Sequence, residues 1–277
     1  MTLLVTGASG RLGREVVRQA RAEGRAVLGL DITPSDTAEA FDLRKDELAP
    51  KLDGVTAVIH CAALHGRHLD LGLSHQAFID TNISATLRLI ETAKQAGASR
   101  FVYTSTTSIY GKAMVDADKA VWVDENLAPK PRDIYDITKQ AAEALCADAF
   151  APGFVTTVLR VSRFMDESAN HIANYRLYRG LDERDGAAAH LLAASAPLRA
   201  FECFNVSNRS PFGRDDVAEL KRNAPAVIRR YYPEVDAWYQ ARGWQLPASI
   251  DRVYDISKAR RLLGYAPRFN FEVLAVP

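Results

Sequence analysis

Tyr135 and Lys139 stand four residues apart in Tyr135-Asp136-Ile137-Thr138-Lys139, and the residues that follow, Gln140 to Leu145, read as a helix. Residues at i and i+4 share a helix face, so the phenol and the ammonium point the same way. A neighbouring ammonium favours phenolate and lowers the phenol pKa. A tyrosine tuned in this way can accept or give a proton near neutral pH. Such pairs are common on ordinary helix surfaces, and this one gains weight only from two stretches upstream of it.

The nearer stretch is Phe101-Val102-Tyr103, an apolar strand that runs into Thr104-Ser105-Thr106-Thr107-Ser108 and then Ile109-Tyr110-Gly111. Hydroxyls at the C-terminal end of a strand face the crevice where open α/β sheets bind ligands. The farther stretch opens the chain. Leu3-Leu4-Val5 is a short strand ending in Thr6-Gly7-Ala8-Ser9-Gly10-Arg11-Leu12-Gly13. Leu12, Val16, Val17 and Ala20 then recur at helix-face spacing until Gly24, and Ala26 to Asp31 is a second strand ending in a carboxylate. This is a βαβ unit, for which a right-handed crossover is expected.

Three glycine tasks belong to such a turn: the tight turn itself, close approach of backbone to a pyrophosphate, and close packing of helix on strand. The helix N-terminus offers free N–H groups and the positive end of its dipole to phosphates. Asp31, 18 residues past Gly13, is placed to accept hydrogen bonds from ribose hydroxyls of a dinucleotide. Its charge opposes a 2′-phosphate and favours NAD over NADP. Arg11 inside the turn is the counter-signal and leaves NADP open.

The elements between these stretches must position them. Ala40-Phe41-Asp42-Leu43 reads as the end of a short strand, where Asp42 either reaches the adenine or caps the next turn. Thr56 to His60 is another strand, and the small residues Cys61, Ala62 and Ala63 after it leave room for a cofactor backbone. His60 reads as a satisfied core histidine. His65 and His68 have metal-like spacing but no partner residue completes a site, so no metal is expected. Residues 64–74 read as a loop over the mouth of the site. A long amphipathic helix is expected over 76–96, with Phe78, Ile79, Ile83, Leu87, Leu89, Ile90 and Ala93 inward and Asn82 as a polar exception. The fold expected is α/β: a Rossmann-type doubly wound parallel sheet with a small C-terminal substrate-binding portion. Residues 1–161 form the dinucleotide domain, completed by about 185–207, and 162–184 with 208–277 form the smaller part.

Bulk properties narrow the function class. The 277 residues are 48% hydrophobic and 25% charged, and 35 basic against 34 acidic residues leave a net charge of +1. No nucleic-acid or polyanionic-membrane partner is expected from that balance. No apolar run approaches the roughly 20 residues of a membrane span. The strand pattern begins at Thr2, which reads as no signal peptide, and Cys61, Cys146 and Cys203 read as reduced thiols of a cytoplasmic protein.

Taken in order, these residues resemble the extended short-chain dehydrogenase/reductases, the NAD-dependent epimerase/dehydratase group. The resemblance rests on Thr6 to Gly13, Ile59 to Ala63, Tyr103 to Gly111 and Tyr135 to Lys139. Leu159-Arg160, Phe204-Asn205-Val206-Ser207 and Asp255 to Pro267 extend it over nearly the whole chain. It implies Tyr135 as acid/base and Lys139 on the nicotinamide ribose, lowering the tyrosine pKa. Thr106 becomes the hydroxyl that bonds the substrate oxygen, with Thr107 beside it at the substrate. A substrate carbinol would lose its proton to Tyr135 and its hydride to the nicotinamide. The cofactor positions implied are Gly7, Gly10, Arg11, Leu12, Gly13, Asp31, Asp42, Leu43, Cys61, Ala62, Ala63, Asn82, Thr104 and Val161, besides Tyr135 and Lys139. A homodimer built on the helices after Gln76 and Tyr135 is implied as well.

The chain departs from the nucleotide-sugar enzymes after Leu159-Arg160, where it reads Val161-Ser162-Arg163-Phe164-Met165. The stretch from there to Asp185 is short, leaving little material to grip a nucleotide diphosphate. Within it, Asn174-Tyr175-Arg176-Leu177 resembles the uronate dehydrogenases, which makes Arg176 the match to a carboxylate-binding arginine. Thr106-Thr107-Ser108 does not follow that branch's pattern. The reading is therefore an NAD-dependent oxidoreductase acting on a small sugar, sugar acid or polyol. The alternatives are a nucleotide-sugar 4-epimerase that recycles its NAD, and a non-catalytic dinucleotide sensor.

Overall fold

The computed structural model describes residues 2–164 and 166–276, so Met165 of the departing segment lies outside the described residues. Among these, β1 (Thr2–Thr6), β2 (Ala26–Asp31), β3 (Glu39–Ala40), β4 (Ala57–His60), β5 (Arg100–Thr106), β7 (Val155–Val161) and β8 (Glu202–Val206) form one parallel sheet in the order β3-β2-β1-β4-β5-β7-β8. This is the doubly wound α/β architecture expected. The strand order reverses between β1 and β4, and the crevice at that switch point is where such sheets take ligands.

The sheet is buried on both faces. Leu3, Val5, Ile59, Val102, Leu159 and Phe204 pack to one side with α1 (Arg11–Ala22) and α8 (Glu183–Ser195). Leu4, Val58, Phe101, Tyr103 and Val158 pack to the other. There they meet α5 (Ala85–Gln95) and α6 (Ile134–Ala149); a short α2 (Ala49–Leu52) adds Leu52. Near-continuous apolar strands are what two-sided burial demands.

A third apolar cluster belongs to the smaller part. It joins α7 (Ala169–Arg176), α9 (Val217–Tyr231), α10 (Val235–Gln240) and α12 (Phe271–Ala275). The paired short strands β6 (Val121–Val123) and β9 (Arg252–Tyr254) lie against it, and α11 (Ser257–Leu263) returns to the main core. Tyr232, Trp238, Tyr239 and Trp244 are spent here: Tyr232 lies 4.9 Å from Phe271 and Tyr239 5.6 Å from Trp244, ring centre to ring centre. They are packing residues of that core.

Two expected elements differ. The 64–74 loop contains α3 (Gly66–Asp70). The long helix is broken into α4 (His75–Ile79), a π-helical turn over Asp80–Ser84, and α5. The extra residue of a π turn rotates the following face, which leaves Leu87 exposed and buries Asn82.

Candidate active site

The N-terminal turn divides its three glycine tasks as expected. Gly7 has φ +68°, and a Cβ there would lie 2.6 Å from the Ala62 nitrogen. A Cβ at Gly13 would lie 2.2 Å from the Gly7 carbonyl oxygen, so α1 packs directly on the turn. Gly10 is exposed and caps α1, whose first turn carries no acidic residue. Its backbone thus presents an open, positively polarised surface to a phosphate. Arg11 is exposed beside it, 3.9 Å from Asp166, while Leu12 turns inward to the core. Asp31 ends β2, and its carboxylate accepts from the Ser9 N–H at 3.1 Å and the Thr33 N–H at 3.0 Å. These bonds aim it across the turn and leave acceptor capacity for ribose hydroxyls. The cradle therefore suits a dinucleotide.

Asp42 follows β3 and caps its turn by accepting the Arg44 N–H at 3.0 Å. The Arg44 guanidinium also grips it with two bonds of 2.9 and 2.8 Å and holds its pKa down to about 2. Any adenine contact must share the carboxylate with Arg44. A cavity of about 500 Å³ opens there, lined by Asp42, Arg44, Lys45, Asp80, Ser84 and Arg88. It lies away from Tyr135, at the Asp42 turn. Leu43 is buried in the core beneath.

Past β4, Cys61, Ala62 and Ala63 are half-buried. Asn82 accepts the Leu64 N–H at 2.8 Å and donates to the Leu64 carbonyl at 2.9 Å and to the Thr138 hydroxyl at 3.0 Å. It thus pins the post-β4 loop to the helix that carries Lys139. His60 is the core histidine expected, bonded to Thr6 at 2.6 Å and Thr86 at 2.9 Å, and burial pushes its pKa down to about 3. His65 and His68 pack on each other with ring centres 4.2 Å apart. No metal-binding group of residues occurs among the described residues.

β5 delivers the hydroxyl run. Thr104 donates or accepts at His190 Nε2 (2.9 Å) and lies 3.2 Å from the Cys61 thiol. His190 places its Nδ1 2.7 Å from the Gly186 carbonyl, and burial lowers its pKa to about 4. The ring is therefore neutral with Nδ1 protonated toward the Gly186 carbonyl, and Nε2 faces the Thr104 hydroxyl. Thr106, the last residue of β5, pairs with Val161 on β7 and accepts the Ser108 N–H at 3.1 Å. Thr107 is buried immediately after it.

α6 starts on an Asp133 cap that accepts the Asp136 N–H at 2.9 Å. Its second residue, Tyr135, is half-buried, and the Thr106 hydroxyl at the end of β5 favours its phenolate. Lys139 is buried: its Nζ donates to the Thr104 carbonyl at 2.6 Å and sits 4.2 Å above the Tyr103 ring. The three expected catalytic residues thus converge where β5 meets α6. The electrostatics differ from the simple pair reading. Burial pushes Tyr135 up to about 12, and the Thr106 hydroxyl and the Arg163 charge only partly oppose it. Burial pushes Lys139 down to about 8. Lys139 is committed to Thr104 and Tyr103, and desolvation is the largest influence on both groups.

Arg176, expected at a substrate carboxylate, already has partners within the chain. Its guanidinium is buried, bonds Asp182 at 3.0 Å and also bonds the Phe269 carbonyl. Burial works against the Asp182 charge, yet Arg184 and Arg176 together hold that carboxyl at about 2. A substrate carboxylate would have to displace this ion pair. Arg176 ties α7 to the C-terminal segment.

Behind the site lies a network that local sequence did not announce. Glu143 follows Lys139 by one helical turn and accepts Ser105 Oγ at 2.5 Å and the Arg160 guanidinium at 2.7 to 3.2 Å. Arg160 also donates to the Tyr110 phenol at 3.0 Å, which donates to Asn205 at 2.8 Å. The signal available was the charged residue, Arg160, inside a strand otherwise made of uncharged residues, and a carboxylate on the same face of α6 as Tyr135 and Lys139.

Known proteins match this arrangement. The sequence model of the NAD dependent epimerase/dehydratase family matches residues 3–175. A UDP-glucuronate 4-epimerase of Thermodesulfobacterium geofontis is 32% identical over 97% of this chain and 92% of its own length. An uncharacterized UDP-glucose epimerase of Bacillus subtilis is 28% identical over 53% of this chain, spanning about half (51%) of that protein. Among solved structures, MoeE5 in complex with UDP-glucose and NAD superposes with a TM-score of 0.74, covering 99% of this chain and 96% of that one at 24% identity. With the glycine turn, the seven-stranded parallel sheet and a family match over more than half its length, the chain belongs to the NAD-dependent epimerase/dehydratase family.

Proposed function

We propose that this protein is an NAD-dependent oxidoreductase acting on a carbinol of a small sugar, sugar acid or polyol. The observation that carries the reading is the convergence of Thr106, Tyr135 and Lys139 at the end of β5, facing the same crevice as the glycine turn. Gly10 and the first turn of α1 would hold the pyrophosphate, Asp31 the adenosine ribose, and Lys139 the nicotinamide ribose. NAD so bound supplies the hydride acceptor. Thr106 orients the substrate hydroxyl, and Tyr135 takes its proton. The substrate segment supports a small substrate, because α8 begins at Glu183, soon after β7 ends at Val161.

A second reading, nucleotide-sugar 4-epimerase, is favoured by the activity of the UDP-glucuronate 4-epimerase relative. One assay separates them. Purified protein is mixed with NAD⁺ and glucuronate, galacturonate, glucose, galactose or UDP-glucuronate. NADH accumulating with a free sugar supports the dehydrogenase. Conversion of the UDP-sugar to its 4-epimer without net NADH replaces it with the epimerase.

We further propose a cytoplasmic homodimer paired through α5 and α6. The exposed apolar side chains Leu87 and Ile137 on those helices, the latter 52% exposed, support the pairing, and the three free thiols suit a reducing compartment. Light scattering is expected to give twice the chain mass at micromolar concentration, and a monomer mass would refute it.

A further inference from the structure

Arg163 stands two residues beyond β7, whose last residue Val161 pairs with Thr106. Its backbone is fixed: the Arg163 carbonyl accepts the Leu181 N–H at 3.2 Å, and the residue bridges to Gly180. Its side chain is exposed, and among the described residues no carboxylate pairs with it. The guanidinium nevertheless lies close enough to Tyr135 to favour its phenolate. It also acts on His65, whose pKa is lowered by burial first and then by His68, Arg67 and Arg163. Arg67 is likewise exposed and in no ion pair among the described residues. Asp136 on the catalytic helix is engaged by Arg132, and Asp166 faces Arg11.

Two guanidinium groups in no ion pair among the described residues thus lie on the two segments beside the end of β5, in a protein of nearly balanced charge. Arg163 follows β7, and Arg67, with His65 and His68, follows Leu64, which Asn82 ties to α6. We propose that Arg163 is the specificity-determining residue of this site. In this assignment its fork holds a carboxylate or phosphate of the substrate, with Arg67 and His65 flanking it. The inference deepens the oxidoreductase reading by naming the substrate as anionic, and it moves the anion grip from Arg176 to Arg163. An anchored backbone with a free planar fork is the arrangement that bidentate recognition of such groups requires.

The test is equilibrium binding by calorimetry, with and without saturating NADH. The probes are glucuronate and galacturonate for the carboxylate, glucose 6-phosphate for the phosphate, and glucose and galactose as neutral controls. The wild type is expected to bind one anionic class at least about 10-fold tighter than the neutral sugars. Arg163→Met is expected to lose about 10- to 100-fold of that affinity, as removal of a charge-assisted bond predicts. Arg163→Lys should recover part of it. NADH affinity, which reports on folding and on the cofactor cradle, should stay at the wild-type value. Whichever anionic class binds identifies the group. Wild-type preference for neutral sugars, equal weak binding of all probes, or an Arg163→Met protein that keeps full anion affinity would each overturn the assignment. Anion binding without turnover would sink the oxidoreductase reading and leave the subsite. Turnover of neutral sugars without anion binding would do the reverse.

Discussion

Tyr135→Phe is expected to lower kcat/KM by about 10²- to 10⁴-fold, the usual worth of a positioned general acid/base. The substitution removes one oxygen and keeps the ring, so NADH affinity and thermal stability should change little. Stopped-flow or steady-state NADH formation on the substrate found in the assay above is the measurement. Turnover surviving at the wild-type level would remove Tyr135 from the mechanism and revive the non-catalytic sensor. The pH dependence carries a sign as well. Burial raises the phenol to about 12, with Thr106 and Arg163 opposing. Oxidation needs the phenolate, so kcat/KM in that direction should rise with pH and keep rising above neutrality. A profile flat from neutral to alkaline pH would mean that another group takes the proton. Loss of the Arg163 charge should move the rise to still higher pH.

Glu143→Ala should cost about 3–5 kcal/mol, the price of leaving a buried charge without its partner. Glu143 and Arg160 are about nine-tenths buried, and the carboxylate takes both the guanidinium fork and the Ser105 hydroxyl. Native domains are stable by only about 5–15 kcal/mol, so this loss would consume a large part of the total. Urea denaturation of variant and wild type measures it. Replacing both partners, Glu143→Met with Arg160→Met, should be less damaging than Glu143→Ala alone, because no charge is stranded. If Glu143→Ala unfolds at the wild-type midpoint, the network does not hold the sheet to α6. Activity should fall too: the Glu143 charge favours the protonated form of Lys139, against the burial that disfavours it.

The parts of the site that could be read from the chain are those set by local spacing. Gly7, Gly10 and Gly13 sit within one turn, and their tasks follow from backbone geometry alone. Tyr135 and Lys139 share a face because helices repeat at 3.6 residues per turn. The strand runs ending at Asp31, His60 and Thr106 announce a buried parallel sheet through their composition. Asn82 was visible as a polar residue among apolar ones, but its burial depends on a π-helical turn that periodicity cannot detect. The Leu64 backbone groups that it satisfies come from another element altogether.

What the sequence by itself determined is the family, the glycine turn and the Tyr135–Lys139 pair proposed to handle the proton, since each is encoded in a few neighbouring positions. Tertiary structure decided which charges are free. Arg176 and Arg163 look alike as residues in one short segment, yet the fold closes Asp182 and the Phe269 carbonyl over the first and leaves the second open beside Tyr135. It also decided the electrostatics of Tyr135 and Lys139, where burial is the largest influence on each. Burial and ion pairing join residues far apart in the chain, and only the folded arrangement brings those partners together.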